Sequence, residues 1–183
     1  DFSIFGCFLD VIGPQFFPDD SPKWQLIQTS AIFGAAFVMR PIGGILFGYM
    51  GDIYDREKAL EISIVLMILP TLMMAFLPGE KIIGVWAAIL LILLRMCQGI
   101  ASGGEMPGAF CNVFETCEQA RSGYWGGACK ATAVLGNSLG IGMAALIRNV
   151  FTEEQVESFG WRIAFLFGTI LGVIGYRLRM TIN

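Results

Sequence analysis

The chain of 183 residues is 55% hydrophobic but only 15% charged, and its formal net charge is −3. Soluble domains carry roughly 25% charged residues, so this composition excludes an ordinary soluble fold and predicts an all-α integral membrane protein. No basic stripe is present, which argues against a nucleic-acid partner. There is no histidine, and the five cysteines are not paired at metal-ligand spacing, so we predict neither a metal nor a cofactor.

Six apolar stretches are long enough to cross a bilayer as helices, since one span takes about 20 residues. They are predicted at residues 1–17, 24–50, 59–77, 82–110, 123–147 and 161–178. Short connections make consecutive helices antiparallel neighbours, so residues 1–183 are predicted to form one six-helix bundle. The first stretch is already apolar at Phe2, and we expect the sequence to be trimmed at both ends.

The basic residues of the short loops predict the orientation of the bundle. One set of loops holds Arg56, Lys58, Arg121, Arg177 and Arg179, and the opposite set holds Lys23, Lys81, Arg148 and Arg162. We place the richer set in the cytoplasm, together with the N-terminus. The expected location is a bacterial inner (plasma) membrane that the chain crosses several times.

Small residues recur at four-residue spacing in the predicted spans, which lets helix backbones approach closely in lipid. The pairs include Gly44 with Gly48, Gly99 with Gly103, Gly104 with Gly108, and Gly136 with Gly140. They predict a compact bundle and say nothing of a substrate.

Charged side chains within the apolar stretches are the main functional signal, because they are costly in hydrocarbon. Arg95 lies near the middle of the fourth stretch, and Gln98, Ser102 and Glu105 follow it at offsets of three, seven and ten residues. These offsets place all four on one helical face. Such a face predicts a central polar cavity, and the alternative is a buried ion pair that only holds helices together.

Three further charges leave two interpretations each. Arg40, which precedes Pro41, either lines the cavity or bonds a neighbouring helix. Asp10 is either a carboxylate that exchanges protons in a low dielectric, or an ion-pair partner of Arg40 or Arg95. Lys130, with Asn137 on its face, either meets an anionic substrate group or extends its stem to the cytoplasmic interface.

Several motifs resemble the major facilitator superfamily. The stretch 48–58 (GYMGDIYDREK) resembles its loop between helices two and three, and 95–99 (RMCQG) followed by 103–105 (GGE) resembles its helix-four signature. The stretches 39–44 (MRPIGG) and 160–163 (GWRI), with the opening Asp1-Phe2 and Gly6, resemble the metabolite:proton symporter subgroup. That subgroup includes carriers of proline and betaine, α-ketoglutarate, citrate and shikimate. The resemblance covers essentially the whole chain.

The resemblance implies the six-helix N-terminal half of a transporter, whose C-terminal six-helix bundle is not in this chain. Its fold implies a midplane site and alternating access. It implies a gating loop of Gly48, Asp52, Arg56 and Lys58, substrate or proton handling by Arg95, and matches at Glu105 and Asp1. Asp55 stands where the loop usually has its second glycine, so the gating contacts are expected to differ.

Together these features predict proton-coupled symport of a small organic acid or zwitterion. No nucleophile–base pair or phosphate-binding loop is present, so we do not expect an enzyme. The alternatives are a multidrug/proton antiporter and a non-transporting membrane sensor on the same scaffold. The antiporter is disfavoured because Gly136 and Gly140 are not followed by the proline of the antiporter signature.

Overall fold

The computed structural model of the chain describes residues 2–18, 20–118 and 121–182, which contain helices and no strand. The α-helices are α1 (Phe2–Cys7), α2 (Leu9–Phe16), α3 (Pro22–Val38), α4 (Arg40–Ile53), α5 (Arg56–Ala75), α6 (Glu80–Ile83), α7 (Trp86–Thr116), α8 (Ser122–Val150), α9 (Glu153–Gln155) and α10 (Trp161–Ile182). A π-helical turn, Val156–Gly160, joins α9 to α10. The predicted all-α membrane fold is confirmed.

Five helical segments in the described residues are long and apolar enough to cross a membrane. They are Pro22–Ile53, Arg56–Ala75, Trp86–Thr116, Ser122–Val150 and Glu153–Leu178. Numbered by the six predicted stretches, these are the second to sixth spans, and α1 with α2 corresponds to the first predicted stretch, called the first span below. The fourth predicted stretch was expected to end near residue 110, but α7 continues to Thr116. Its 31 residues exceed the length that a ~30 Å hydrocarbon core requires, so α7 extends beyond the core at one end.

The first stretch was expected to be one helix, and the structure breaks it at Phe8. The N–H of Val11 donates to the carbonyl of Phe8 (3.1 Å) instead of reaching Cys7. The released carbonyl of Cys7 accepts a hydrogen bond from Arg148 Nη2 on α8 (2.7 Å). The break is therefore stabilised by a neighbouring helix, since a freed backbone carbonyl needs another donor in an apolar setting.

The second span is also interrupted, at Met39 between α3 and α4. Pro41 has no N–H to donate to the carbonyl of Phe37 four residues earlier, which explains the break. The interruption places Phe37 and Arg40 on either side of it.

Small residues let α7 lie against the second span at backbone distance, as the four-residue spacing predicted. A Cβ added at any of three glycines would overlap main-chain atoms of the facing helix. The facing pairs are Gly99 with Ala36, Gly103 with Arg40, and Gly43 with Ile100. Gly48 and Gly136, by contrast, would meet nothing within 4 Å in the described part of the chain.

The apolar core lies where α1 and α2 pack against α7, α8 and α10. Phe5, Phe8, Phe16, Trp161 and Phe165 are fully buried there. Large apolar side chains such as Ile45, Tyr54 and Leu135 point outward, which is the arrangement that lipid or a further helical bundle favours.

Candidate transport site

Arg95 on α7 is completely buried inside the bundle. Its Nη1 donates to Gln98 Oε1 (2.8 Å), and Gln98 Nε2 donates to Thr71 Oγ1 on α5 (2.8 Å). The Thr71 hydroxyl in turn donates to the carbonyl of Met67 (2.7 Å). The sequence prediction that Arg95 and Gln98 share a helical face is confirmed. The structure extends this network from α7 to Thr71 on α5, the third span.

The guanidinium of Arg95 has two unsatisfied hydrogen-bond donors among the described residues. Its Nε and Nη2 are buried without a partner among the described residues, and no carboxylate of those residues forms an ion pair with it. The positive charge of Arg95 is partly compensated by the face of the Phe5 ring, whose centroid lies 3.5 Å from Arg95 Cζ. Leaving a buried charged donor unsatisfied is costly, and an anionic acceptor placed beside this guanidinium would remove that cost.

Arg40 is a second arginine whose guanidinium stacks on aromatic rings, and it lies near the break in the second span. Its Cζ lies 4.1 Å from the ring centroid of Phe37 and 4.4 Å from that of Phe2. Its Nε is also buried without a partner among the described residues. Arg40 is only partly buried, so it is the more accessible of the two guanidinium groups.

Glu105 lies ten residues beyond Arg95 on α7, or about 15 Å along the helix axis. It is partly buried and has no ion-pair or hydrogen-bond partner within the described ranges. Glu105 and Arg95 thus do not form one contact, although they follow the same helical face. Asp1, the other acid implied by the resemblance, lies outside the described residues.

Asp10 pairs with neither Arg40 nor Arg95, the partners that the sequence suggested. Its Oδ1 accepts a hydrogen bond from Arg148 Nη2 at 2.6 Å, in an ion pair with both side chains substantially exposed. The sequence assigned Arg148 to a loop. Because α8 continues to Val150, Arg148 instead projects from the last turn of that helix and reaches the break in the first span.

Lys130 and Asn137 both lie on exposed positions of α8. Asn137 Oδ1 accepts a hydrogen bond from Ser3 Oγ on α1 (2.7 Å). Lys130 forms no ion pair with the described residues. The structure thus connects Asn137 to the first span and leaves Lys130 on the open face of the bundle.

The loop between the second and third spans forms a charge cluster with the end of α7. Arg56 pairs with Asp52 at 3.5 Å and also contacts Glu115. Glu115 was not among the predicted gating residues, because the fourth span was expected to end before it. Asp55, one of the departures in this loop, caps α5 by accepting the N–H of Glu57 (3.0 Å).

A cleft of about 200 Å³ lies beside this charge cluster. Its walls include Gly48, Asp52 and Arg56 from the loop region and Gly104 and Cys111 from α7. Lys58, the fourth predicted gating residue, is exposed and does not line the cleft. Three of the four predicted gating residues therefore lie together, and the cleft opens between the second and fourth spans.

The described residues form a bundle of membrane-length helices around a buried arginine that has no carboxylate partner among them. The family model described as "Sugar (and other) transporter" matches residues 4–183. The chain belongs to this family of the major facilitator superfamily. The family is one of transporters and not of enzymes, as the sequence predicted.

Two curated relatives and one solved structure refine the comparison. The proline/betaine transporter of Salmonella typhimurium (strain LT2) is 39% identical over 179 residues, which are 98% of this chain and 36% of the relative. The glycine betaine/proline/ectoine/pipecolic acid transporter OusA of Dickeya dadantii (strain 3937) is 37% identical with the same coverage. The chain thus spans little more than a third of the length of these relatives.

The solved structure is the proton:xylose symporter XylE, of the major facilitator superfamily, bound to 6-bromo-6-deoxy-D-glucose. It superposes with a TM-score of 0.80 at 19% identity and covers 98% of this chain and 42% of that one. At this identity the likeness shows the fold alone. The resemblance to the superfamily and to proline and betaine carriers is confirmed.

Proposed function

We propose that the protein containing this chain is a proton-coupled symporter of small zwitterions or organic acids that works by alternating access. The observation that carries the proposal is the fully buried guanidinium of Arg95, which has two unmade donors and no carboxylate partner among the described residues. A carboxylate on a solute supplies the acceptors that this group lacks. The names of the two curated relatives support zwitterions as the leading substrate class.

Different parts of the bundle have distinct roles in this mechanism. Arg95, Gln98 and Arg40 bind solute near the middle of the membrane. Glu105, Asp10 and Asp1 are the candidate proton carriers, and Asp52 and Arg56 hold the cytoplasmic gate through Glu115. A C-terminal six-helix bundle of the same protein completes the site, the surrounding partner is lipid, and the setting is a bacterial inner membrane with a cytoplasmic N-terminus.

Uptake by the full-length protein in proteoliposomes tests the proposal. Radiolabelled proline or glycine betaine is supplied outside, and the outside is made more acidic than the lumen. The gradient should accelerate uptake. Arg95→Ala should reduce uptake by ~30-fold or more, because truncating one partner of a buried charged pair costs about 2–5 kcal/mol. Wild-type-like uptake by this variant would contradict the assignment of Arg95.

The matched control is Arg177→Ala, which removes an exposed arginine from α10. It should leave uptake unchanged. Elution of each variant as a single species in detergent separates lost transport from lost folding. If uptake by the wild type is indifferent to the pH gradient, proton coupling is wrong even where Arg95 is essential.

A further inference from the structure

Four phenylalanine rings form one cluster where the first and second spans meet. Phe33 and Phe37 lie 5.0 Å apart, Phe2 and Phe37 lie 5.3 Å apart, and Phe5 stacks on Phe33 at 6.2 Å between centroids. We call Phe2, Phe5, Phe33 and Phe37 the phenylalanine cluster. Such a cluster buries apolar area in any helical bundle, so its rings alone would indicate only packing.

The faces of three of these rings are occupied by cations. Arg40 lies over Phe2 and Phe37, with Cζ 4.4 and 4.1 Å from the centroids, and Arg95 lies 3.5 Å over Phe5. The negative face of an aromatic ring attracts a cation, and it does so most strongly when water is excluded. The cluster is therefore a set of cation-binding faces that the protein covers with its own guanidinium groups.

Both guanidinium groups retain unused hydrogen-bond donors. The Nε of Arg40 and the Nε and Nη2 of Arg95 are buried without partners among the described residues. A ring face compensates the charge but offers these N–H groups no lone pair. A carboxylate can compensate both the charge and the donors.

We propose that the two arginines and the phenylalanine cluster bind opposite ends of a zwitterion. The carboxylate of the solute takes the free donors of Arg40 and Arg95, and its ammonium takes the faces of Phe2 and Phe37 that Arg40 leaves. Each charge exchanges one partner for another, so no unpaired charge is created. This inference rests on the proposed transport function and adds the residues that distinguish a zwitterion from a plain carboxylate or a sugar.

Exposure sets the order of contact. Phe37 is 41% exposed and Arg40 is partly exposed, whereas Phe5 and Arg95 are completely buried. An arriving solute therefore meets the pair of Phe37 and Arg40 first. Phe37 is the ring whose replacement should report most directly on recognition of the ammonium group.

Binding to the full-length protein in detergent tests the inference without requiring transport. The two probes are glycine betaine and 3,3-dimethylbutyrate, which has the same shape and carboxylate but a neutral carbon in place of the nitrogen. Titration calorimetry should give wild-type Kd values that favour betaine by about tenfold or more, the value of a desolvated cation–π contact. Phe37→Leu should weaken the binding of betaine by about the same factor and leave the binding of 3,3-dimethylbutyrate unchanged.

Two further variants separate ring chemistry from packing. Phe37→Tyr keeps an aromatic face and should retain betaine binding within about threefold. Phe76→Leu removes an exposed ring outside the cluster and should change neither ligand. Equal wild-type affinity for both probes, absence of betaine binding, or an equal loss of both in Phe37→Leu would overturn the inference.

The same protein in proteoliposomes separates this inference from the proposed function. Ring-dependent betaine binding without pH-driven uptake would refute symport and leave the zwitterion site standing. If the pH gradient drives uptake of a sugar or a plain carboxylate and betaine does not bind, the zwitterion site is refuted and symport stands.

Discussion

Replacing Gly43 by alanine tests the close contact between the second and fourth spans. A Cβ at position 43 would overlap the carbonyl oxygen of Ile100 and would lie 2.7 Å from its carbonyl carbon and 2.9 Å from its Cα. All three atoms are main chain inside α7, so they cannot rotate aside as a side chain can. Helix α4 would have to move away from α7.

The size of the effect follows from this overlap. Restoring ordinary van der Waals contact requires α4 to move away by more than about 1 Å, and a gap of about 1 Å already forfeits a quarter to a half of the dispersion energy of the atoms concerned. Overpacking of this kind costs about 1–3 kcal/mol. The better helix propensity of alanine returns up to about 1 kcal/mol, so Gly43→Ala should lower the free energy of unfolding overall.

Gly34→Ala is the matched control, because Gly34 belongs to the same span and its added Cβ would meet no described atom within 4 Å. This variant keeps the propensity gain and should be neutral or stabilising. Thermal unfolding of the full-length protein in detergent, followed by circular dichroism, measures both. Equal midpoints for the two variants would refute the close contact.

Two further predictions concern ion pairs at the ends of the bundle. Asp10→Asn and Arg148→Gln should each destabilise the protein, and the double variant should show a coupling energy of about 0.2–1 kcal/mol, because the pair is partly exposed. A coupling of zero in denaturation experiments would mean that the two do not interact. Arg56→Gln should release Glu115 and widen the neighbouring cleft. In a background where every cysteine except Cys111 is replaced, Cys111 should then react faster with a membrane-impermeant maleimide. An unchanged labelling rate would argue against a gate.

Much of the fold could be predicted from local sequence properties. The transfer free energy of an apolar stretch depends on its own residues, so the bilayer-spanning segments could be read directly. The helical repeat likewise places Arg95 and Gln98 on one face wherever that helix lies. The glycines at 99 and 103 predicted a close helix contact for the same reason, although the facing residues Ala36 and Arg40 could not be named.

The errors lie where a residue's partner comes from another span. Asp10 was expected to meet Arg40 or Arg95, and its partner is Arg148, since helix depth and rotation decide which charges coincide. Glu115 was overlooked because the length of α7 beyond the apolar core depends on contacts with the loop at Arg56.

The sequence by itself determined that this chain belongs to a membrane protein and where its spans lie. It also determined which family the chain resembles and that the chain carries costly buried cations. These are properties of hydropathy, spacing and motif, and each is contained in one stretch of chain. The tertiary structure alone decided that Arg95 is compensated by Phe5 and Gln98 and that Arg40 rests on Phe2 and Phe37. Those contacts join residues far apart in sequence, and they depend on how the glycine-lined helices pack against one another.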